Sequence, residues 1–251
     1  LQRNALRGWL SGIAVVLVLA LSQEARDLAA AMGLPIPRLP IPYGGSILDN
    51  LLAVAIVLAG GALLLRRFAG VPRSLGLGFN GWRGPLLTAL ATLPCWIGLA
   101  INGTLARDWS ALDLALLAFA FPLAEEIAFR GFGFIFARRA LGWPLGLAVT
   151  MQAIGFGLVH WIGSGGGEFS AIALQIFVIT GLGGAIFALL DALDGYGIWS
   201  GWVLHVSLNA AWTIFSVSEN AASGWLGIGL RLGSAALALL LVWKFRRPAR
   251  A

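Results

Sequence analysis

The sequence predicts an all-α fold, a polytopic integral membrane protein with about eight transmembrane helices. Three observations carry this. The chain is apolar throughout, the apolarity is divided into stretches of spanning length, and basic residues gather at the ends of those stretches. Hydrophobic residues make up 59% of the 251 and charged residues only 11%, against about 25% charged in an ordinary globular domain. The mean hydropathy of +0.87 leaves too little polar surface to cover a soluble core.

A spanning helix needs about 20 mostly apolar residues. Eight segments qualify: 5–22, 47–65, 85–104, 111–137, 143–162, 171–190, 196–216 and 225–243. The first is the shortest. Its basic start and short apolar run also fit a signal peptide, but no small-x-small cleavage site follows, so it is read as a retained helix. The fourth is long enough to extend beyond the bilayer. Between the first two, Pro35, Pro37, Pro40 and Pro42 forbid a helix and favour an extended loop. Residues 71–84, with four glycines, a proline and two arginines, separate the second from the third. Gly163-Ser164-Gly165-Gly166-Gly167 follows the fifth; it is expected not to hold a helix, and serves as a mobile lid or a plain connector.

The net charge of +6 comes from 17 basic and 11 acidic residues. The basic residues sit at helix ends, the pattern of membrane orientation rather than of nucleic-acid binding. Arg3 and Arg7, then Arg66, Arg67, Arg73 and Arg83, then Arg138 and Arg139, then Lys244, Arg246, Arg247 and Arg250 all fall on one side of an eight-helix chain. Both termini are therefore expected in the cytoplasm. Asp191, Asp194, Glu168 and Glu219 fall in expected loops and read as solvated charges. The single cysteine, Cys95, allows no internal disulfide and no cysteine metal cluster, and reads as a small buried apolar residue. Gly197-Ile198-Trp199-Ser200-Gly201 is a small-x-x-x-small pattern of the kind that lets helices approach closely in lipid.

Ionisable groups within membrane segments are costly unless paired or solvated, which marks each as a functional candidate. Three places qualify. Glu125, Glu126 and Arg130 lie in the fourth segment. Glu126 and Arg130 share a helix face and are expected to form an ion pair. Glu125, turned about 100° away on an α-helix, is left for chemistry. Phe156 and His160 share a face near the end of the fifth segment, and His205 and Asn209 share a face in the seventh. These are the chain's two histidines. A carboxylate and an imidazole can orient and deprotonate a water, while a second histidine and an asparagine donate to a developing oxyanion. That set suffices for amide hydrolysis without a metal or cofactor. No H-E-x-x-H motif is present to hold zinc.

At these residues the sequence resembles the CPBP family of intramembrane proteases, also called the CAAX protease and bacteriocin-processing or Abi family. Its pattern is E-E-x-x-x-R, then F-x-x-x-H, then H-x-x-x-N. The chain carries Glu125, Glu126 and Arg130, then Phe156 and His160, then His205 and Asn209, in that order. Ser74-Leu75-Gly76-Leu77-Gly78 resembles a Leu-Gly-Leu segment found upstream in the family. The resemblance implies a glutamate-dependent, metal-independent protease with an eight-helix core. It implies that Glu125 and His160 activate water, that His205 and Asn209 form the oxyanion hole, and that Glu126, Arg130 and Phe156 support the site. One transmembrane domain over 1–251 is expected, with a catalytic core at about 111–216 and N-terminal helices in 1–104. The substrate would be a membrane-associated or C-terminally anchored protein or peptide, processed in a CAAX-like or sortase-like manner in a bacterial inner membrane. The sortase-like case suits a site in the middle to outer half of the bilayer.

Two other classes fit the same residues. Buried Glu and His also build the proton relays of transporters, although no internal repeat is evident. A non-catalytic immunity factor or scaffold could keep the motifs for structure. The expected spans also carry a tension. They place His160 near the outer end of its helix and Glu125 about 20 Å along its own, so at least one helix boundary must differ.

Overall fold

The structure, a computed structural model, describes residues 2–165, 169–217 and 224–245. It is nearly all helical: α1 (Gln2–Ala31), α2 (Gly44–Leu65), α3 (Val71–Ser74), α4 (Arg83–Ala91), α5 (Leu93–Asn102), α6 (111–139), α7 (Leu145–Gly165), α8 (Ala171–Leu193), α9 (Trp199–Ile214) and α10 (Trp225–Phe245). Strands β1 (Thr104–Leu105) and β2 (Phe215–Ser216) pair antiparallel, Thr104 opposite Ser216. Five stretches are long and apolar enough to cross a membrane: Gly44–Leu65, Arg83–Asn102, Leu145–Gly163, Ala171–Leu193 and Trp225–Phe245. These match five of the eight expected segments and fit an integral membrane protein. Of the other three, α9 has only 16 residues, and α6 carries Glu125, Glu126 and Arg130.

Two helices depart from the expected single rods for local reasons. The third segment is jogged into α4 and α5 at Thr92. Pro94 has no N–H to give the Leu90 carbonyl, and the Thr92 N–H and hydroxyl both turn back to Ala89 O. The fourth is one continuous helix whose turns widen twice into π-helix, over Leu114–Ala120 and Glu126–Phe136. Such widened turns recur at functional sites.

The widened α6 feeds one core. Phe129, Phe132, Phe134 and Phe136 are buried with Val57 of α2, Trp143, and Ala148 and Phe156 of α7. A second core of smaller side chains joins Ala91, Cys95, Leu99, Leu204, Leu208, Ala211, Ala235 and Ala238 from α4, α5, α9 and α10. Cys95 is buried and free, as expected. Helices α7 and α8 pack closely because glycine permits it. A Cβ on Gly157 would lie 2.9 Å from the Phe177 carbonyl oxygen, the close approach that small residues allow in membranes.

The depth tension resolves at the α6–α7 turn. Glu125 precedes Arg139, and His160 follows Leu145, by nearly the same number of residues. Measured from the turn the two helices share, both residues therefore stand about 20 Å along. Counting from residue 111 misled because α6 is longer than a bilayer is thick. The upstream Leu-Gly-Leu segment also finds its place. Gly76 O accepts the Ile198 N–H at 3.2 Å, so this segment covers the start of α9. Gly76 has φ +74°, and a Cβ there would strike Tyr196 O and Ile135.

Three expectations are corrected. Helix α7 continues through Gly163, Ser164 and Gly165. Extending a formed helix costs far less than nucleating one, so a glycine pair does not stop it at once. The remaining Gly166 and Gly167, together with Glu168, Glu219, Arg246, Arg247 and Arg250, lie outside the described residues. Asp191 is not a solvated loop charge: it belongs to α8, which runs three residues past the expected 190, and it is fully buried. Asp194, at the C-terminal end of α8, is half-buried and accepts the Ser200 hydroxyl at 2.6 Å. Burial pushes its carboxyl above the usual carboxylate range, against the lowering effect of hydrogen bonds from Ser200 and Asn80.

Candidate active site

Glu126 and Arg130 form the expected ion pair within α6, Nε to Oε2 at 3.3 Å, and both side chains are fully buried. The second oxygen of Glu126 reaches across to α9, where Oε1 lies 2.9 Å from His205 Nδ1. An ionised carboxylate only accepts, so Nδ1 carries the proton of this bond and Nε2 is the nitrogen left for another partner. Glu125 Oε2 lies 3.8 Å from that Nε2, and its side chain is one-third exposed. The expectation that Glu125 points away from Glu126 is therefore corrected: both face the same imidazole. Glu125 (φ −63°, ψ −42°) and Glu126 (φ −63°, ψ −40°) keep ordinary α-helical backbone, so it is their side chains that converge from either side of the ring. The two nitrogens of one ring then span both carboxylates.

Asn209, one turn beyond His205, donates through Nδ2 to Leu117 O at 3.2 Å. The sequence explains why that carbonyl is open. In the first π stretch the Phe121 N–H bonds Leu116 O, five residues back. The next donor in this register would be residue 122, which is proline and has no N–H. Asn209 takes the place of the missing donor, and its second N–H is left for other use.

On α7, His160 Nδ1 lies 2.9 Å from the Phe156 carbonyl of its own helix. A carbonyl only accepts, so Nδ1 is protonated in this bond and Nε2 presents a lone pair in the neutral ring. The Phe156 ring packs on the His160 ring at 4.3 Å and on the Arg130 guanidinium at 4.1 Å. Among the described residues no direct polar contact joins His160 to Glu125; the contacts between them run from His160 through Phe156, Arg130, Glu126 and His205 to Glu125. The structure thus brings Glu125, Glu126, Arg130 and His205 into direct contact. It reaches Phe156 and His160 through stacking, and sets Asn209 on the neighbouring carbonyl.

Residues outside the motifs hold this arrangement. Phe187 of α8 stacks on His205 at 5.5 Å and under Arg130 at 4.8 Å. Behind α9, the Ser207 hydroxyl receives the Trp96 indole N–H at 2.8 Å and pairs with Thr92 Oγ1 at 2.7 Å. That tie fixes the rear of α9 to the jog between α4 and α5. A lone phenylalanine or serine in an apolar run gave no sequence signal. Thr92 beside Pro94 was the one visible hint. Among the described residues, no three of His, Cys, Asp and Glu stand together in a way that would hold a metal ion.

Residues 107–211 match the family model of the type II CAAX prenyl endopeptidase, Rce1-like. No curated protein and no solved structure matches the chain significantly. The matched stretch contains all three motifs and runs from just before α6 into α9, which is where the contacts above are made. The match implies a protease, a hydrolase, embedded among apolar membrane helices. The family matched over 107–211 is the CPBP/CAAX protease family that the three motifs resemble.

Proposed function

We propose that the protein is a metal-independent intramembrane endopeptidase of the glutamate-dependent kind. Glu125 takes a proton from water, with His160 Nε2 accepting the water's other hydrogen as a hydrogen bond. The hydroxide adds to the scissile carbonyl carbon, and the negative oxygen is received by the Nε2–H of His205, which acts here as the imidazolium with both nitrogens protonated between its two carboxylates, and by the free N–H of Asn209. Collapse of this adduct breaks the C–N bond, and Glu125 returns its proton to the leaving amine. Glu126 and Arg130 do no proton transfer; they hold His205. One observation carries the reading. His205 has one nitrogen committed to a buried carboxylate and the other turned toward a partly exposed one. That arrangement separates a carboxylate that orients from one that can meet water.

Around this site the reading places eight spanning helices, both termini in the cytoplasm and a bacterial inner membrane. The substrate is a membrane-associated or C-terminally anchored protein, processed in a CAAX-like or sortase-like manner. The test compares protein termini in cells carrying the wild type or Glu125→Gln at equal expression. Loss of a defined processed end from a few membrane or secreted proteins in the variant supports the reading and names the substrate. Identical termini under several growth conditions overturn it and make flux in liposomes the next measurement.

A further inference from the structure

Asp191 stands on α8 one turn after Phe187, and neither the three motifs nor the mechanism uses it. Its side chain is fully buried. Oδ1 accepts the Gly201 N–H at 2.9 Å. Gly201 is the third residue of α9, so this N–H is one of the donors that a helix start cannot satisfy from within. His205 follows one turn later on the same face. The seat is fitted to glycine: a Cβ at 201 would lie 2.8 Å from Oδ1. The second glycine of the Gly197–Gly201 pattern thus receives a carboxylate as well as a neighbouring helix.

The other oxygen, Oδ2, has no hydrogen-bond partner among the described residues, and neither have Nη1 and Nη2 of Arg130. Asp191 lies within electrostatic reach of both Arg130 and Glu126. A buried carboxylate is strongly penalised unless a cation balances it. Among the described residues Arg130 is the buried cation, and Glu126 already claims its Nε edge. Two carboxylates thus arrive from different helices, α6 and α8, and each grips α9, Glu126 through His205 and Asp191 through Gly201, while the direct ion pair of Arg130 is with Glu126.

We propose that Asp191 is a positioning residue of the site: from α8 it holds the first turn of α9 through Gly201 and shares the Arg130 charge with Glu126, which fixes His205 in height and rotation. For its effect on turnover the proposal rests on the endopeptidase reading; for its effect on His205 it does not.

The test uses the full chain in nanodiscs with ring-15N histidine, where only His160 and His205 give signals. Asp191→Asn keeps an acceptor for Gly201 but turns an uncharged NH2 group toward Arg130. Its Tm is expected to stay close to that of the wild type while the His205 ring signals move. On the substrate found by comparing termini, kcat falls about tenfold or more, as for a misplaced catalytic group, with KM unchanged within about twofold. Gly201→Ala presses a methyl onto Asp191 Oδ1, and both Tm and kcat fall. In the Asp191→Ala background the added methyl fits, and Tm recovers while kcat does not. Wild-type His205 signals and kcat in Asp191→Asn would overturn the proposal. So would Tm and kcat falling in proportion across all variants with unmoved His205 signals, which is the mark of a structural role alone. If the wild type shows no Glu125-dependent turnover, the endopeptidase reading fails by itself. The ring signals then decide on Asp191: movement supports the proposal and constancy overturns it.

Discussion

His205 and His160 sit in regions built on opposite plans. His205 is gripped from two other helices: α6 gives its Nδ1 a buried carboxylate and α8 lays Phe187 on its face. His160 is held by its own helix, through the Phe156 carbonyl and ring. The first region ties an imidazole to a buried ion pair, so its orientation is bound up with the stability of the bundle. The second leaves a nitrogen free and costs the fold little. A residue whose charge partner is fixed by the fold suits the holding of an oxyanion, while one that answers only to its own helix suits contact with a mobile water.

Breaking the ion pair should have the largest effect on this contrast. Arg130→Ala leaves Glu126 buried without its cation, and a broken buried pair costs about 3–5 kcal/mol. Thermal unfolding in detergent should show a Tm lowered by many degrees, and the His205 ring signal should move more than that of His160. Phe156→Ala joins the two regions in one change, since the ring touches both Arg130 and His160. A cost of about 3 kcal/mol is expected for a truncated core phenylalanine. Here both histidine signals should move, and movement of one alone would break the link drawn between the regions.

Ser207→Ala probes the rear tie of α9. The Trp96 indole N–H and the Thr92 hydroxyl lose a partner, at about 1–2 kcal/mol, read as a modest fall in Tm. Smallest is a pH effect at Asp194, whose raised carboxyl comes first from burial. A carboxyl raised in the folded state favours folding while protonated, and that contribution is lost as pH rises through the folded value. Wild-type Tm should therefore slope downward as pH rises just above the usual carboxylate range, and Asp194→Asn should flatten that slope.

Much of this was legible in the sequence because membrane segments announce themselves by length and apolarity. Charges within them stand out for the same reason, as Glu125, Glu126, Arg130 and the two histidines did. The Glu126–Arg130 pair followed from helical spacing alone. The rest depended on tertiary partners and on departures from the regular α-helix. Glu125 and Glu126 meet on one ring because α9 sets His205 between their side chains, and no periodicity read at 100° per residue reveals that. Pro122 opens the Leu117 carbonyl to Asn209, a tertiary partner that only the fold supplies. Asp191 was misread because a three-residue error at a helix end moved it from the core to a loop. Element ends are where apolar patterning is weakest.

The central claim is a division of labour between adjacent carboxylates, with Glu126 holding His205 and Glu125 meeting water. The direct measurement compares Glu125→Gln with Glu126→Gln, reading Tm and substrate processing for each. The account predicts that Glu125→Gln melts within a few degrees of the wild type and processes nothing, while Glu126→Gln is clearly destabilised, because Arg130 loses its partner, and loses processing with the fold. Processing retained in Glu125→Gln, or equal destabilisation in both, would contradict it.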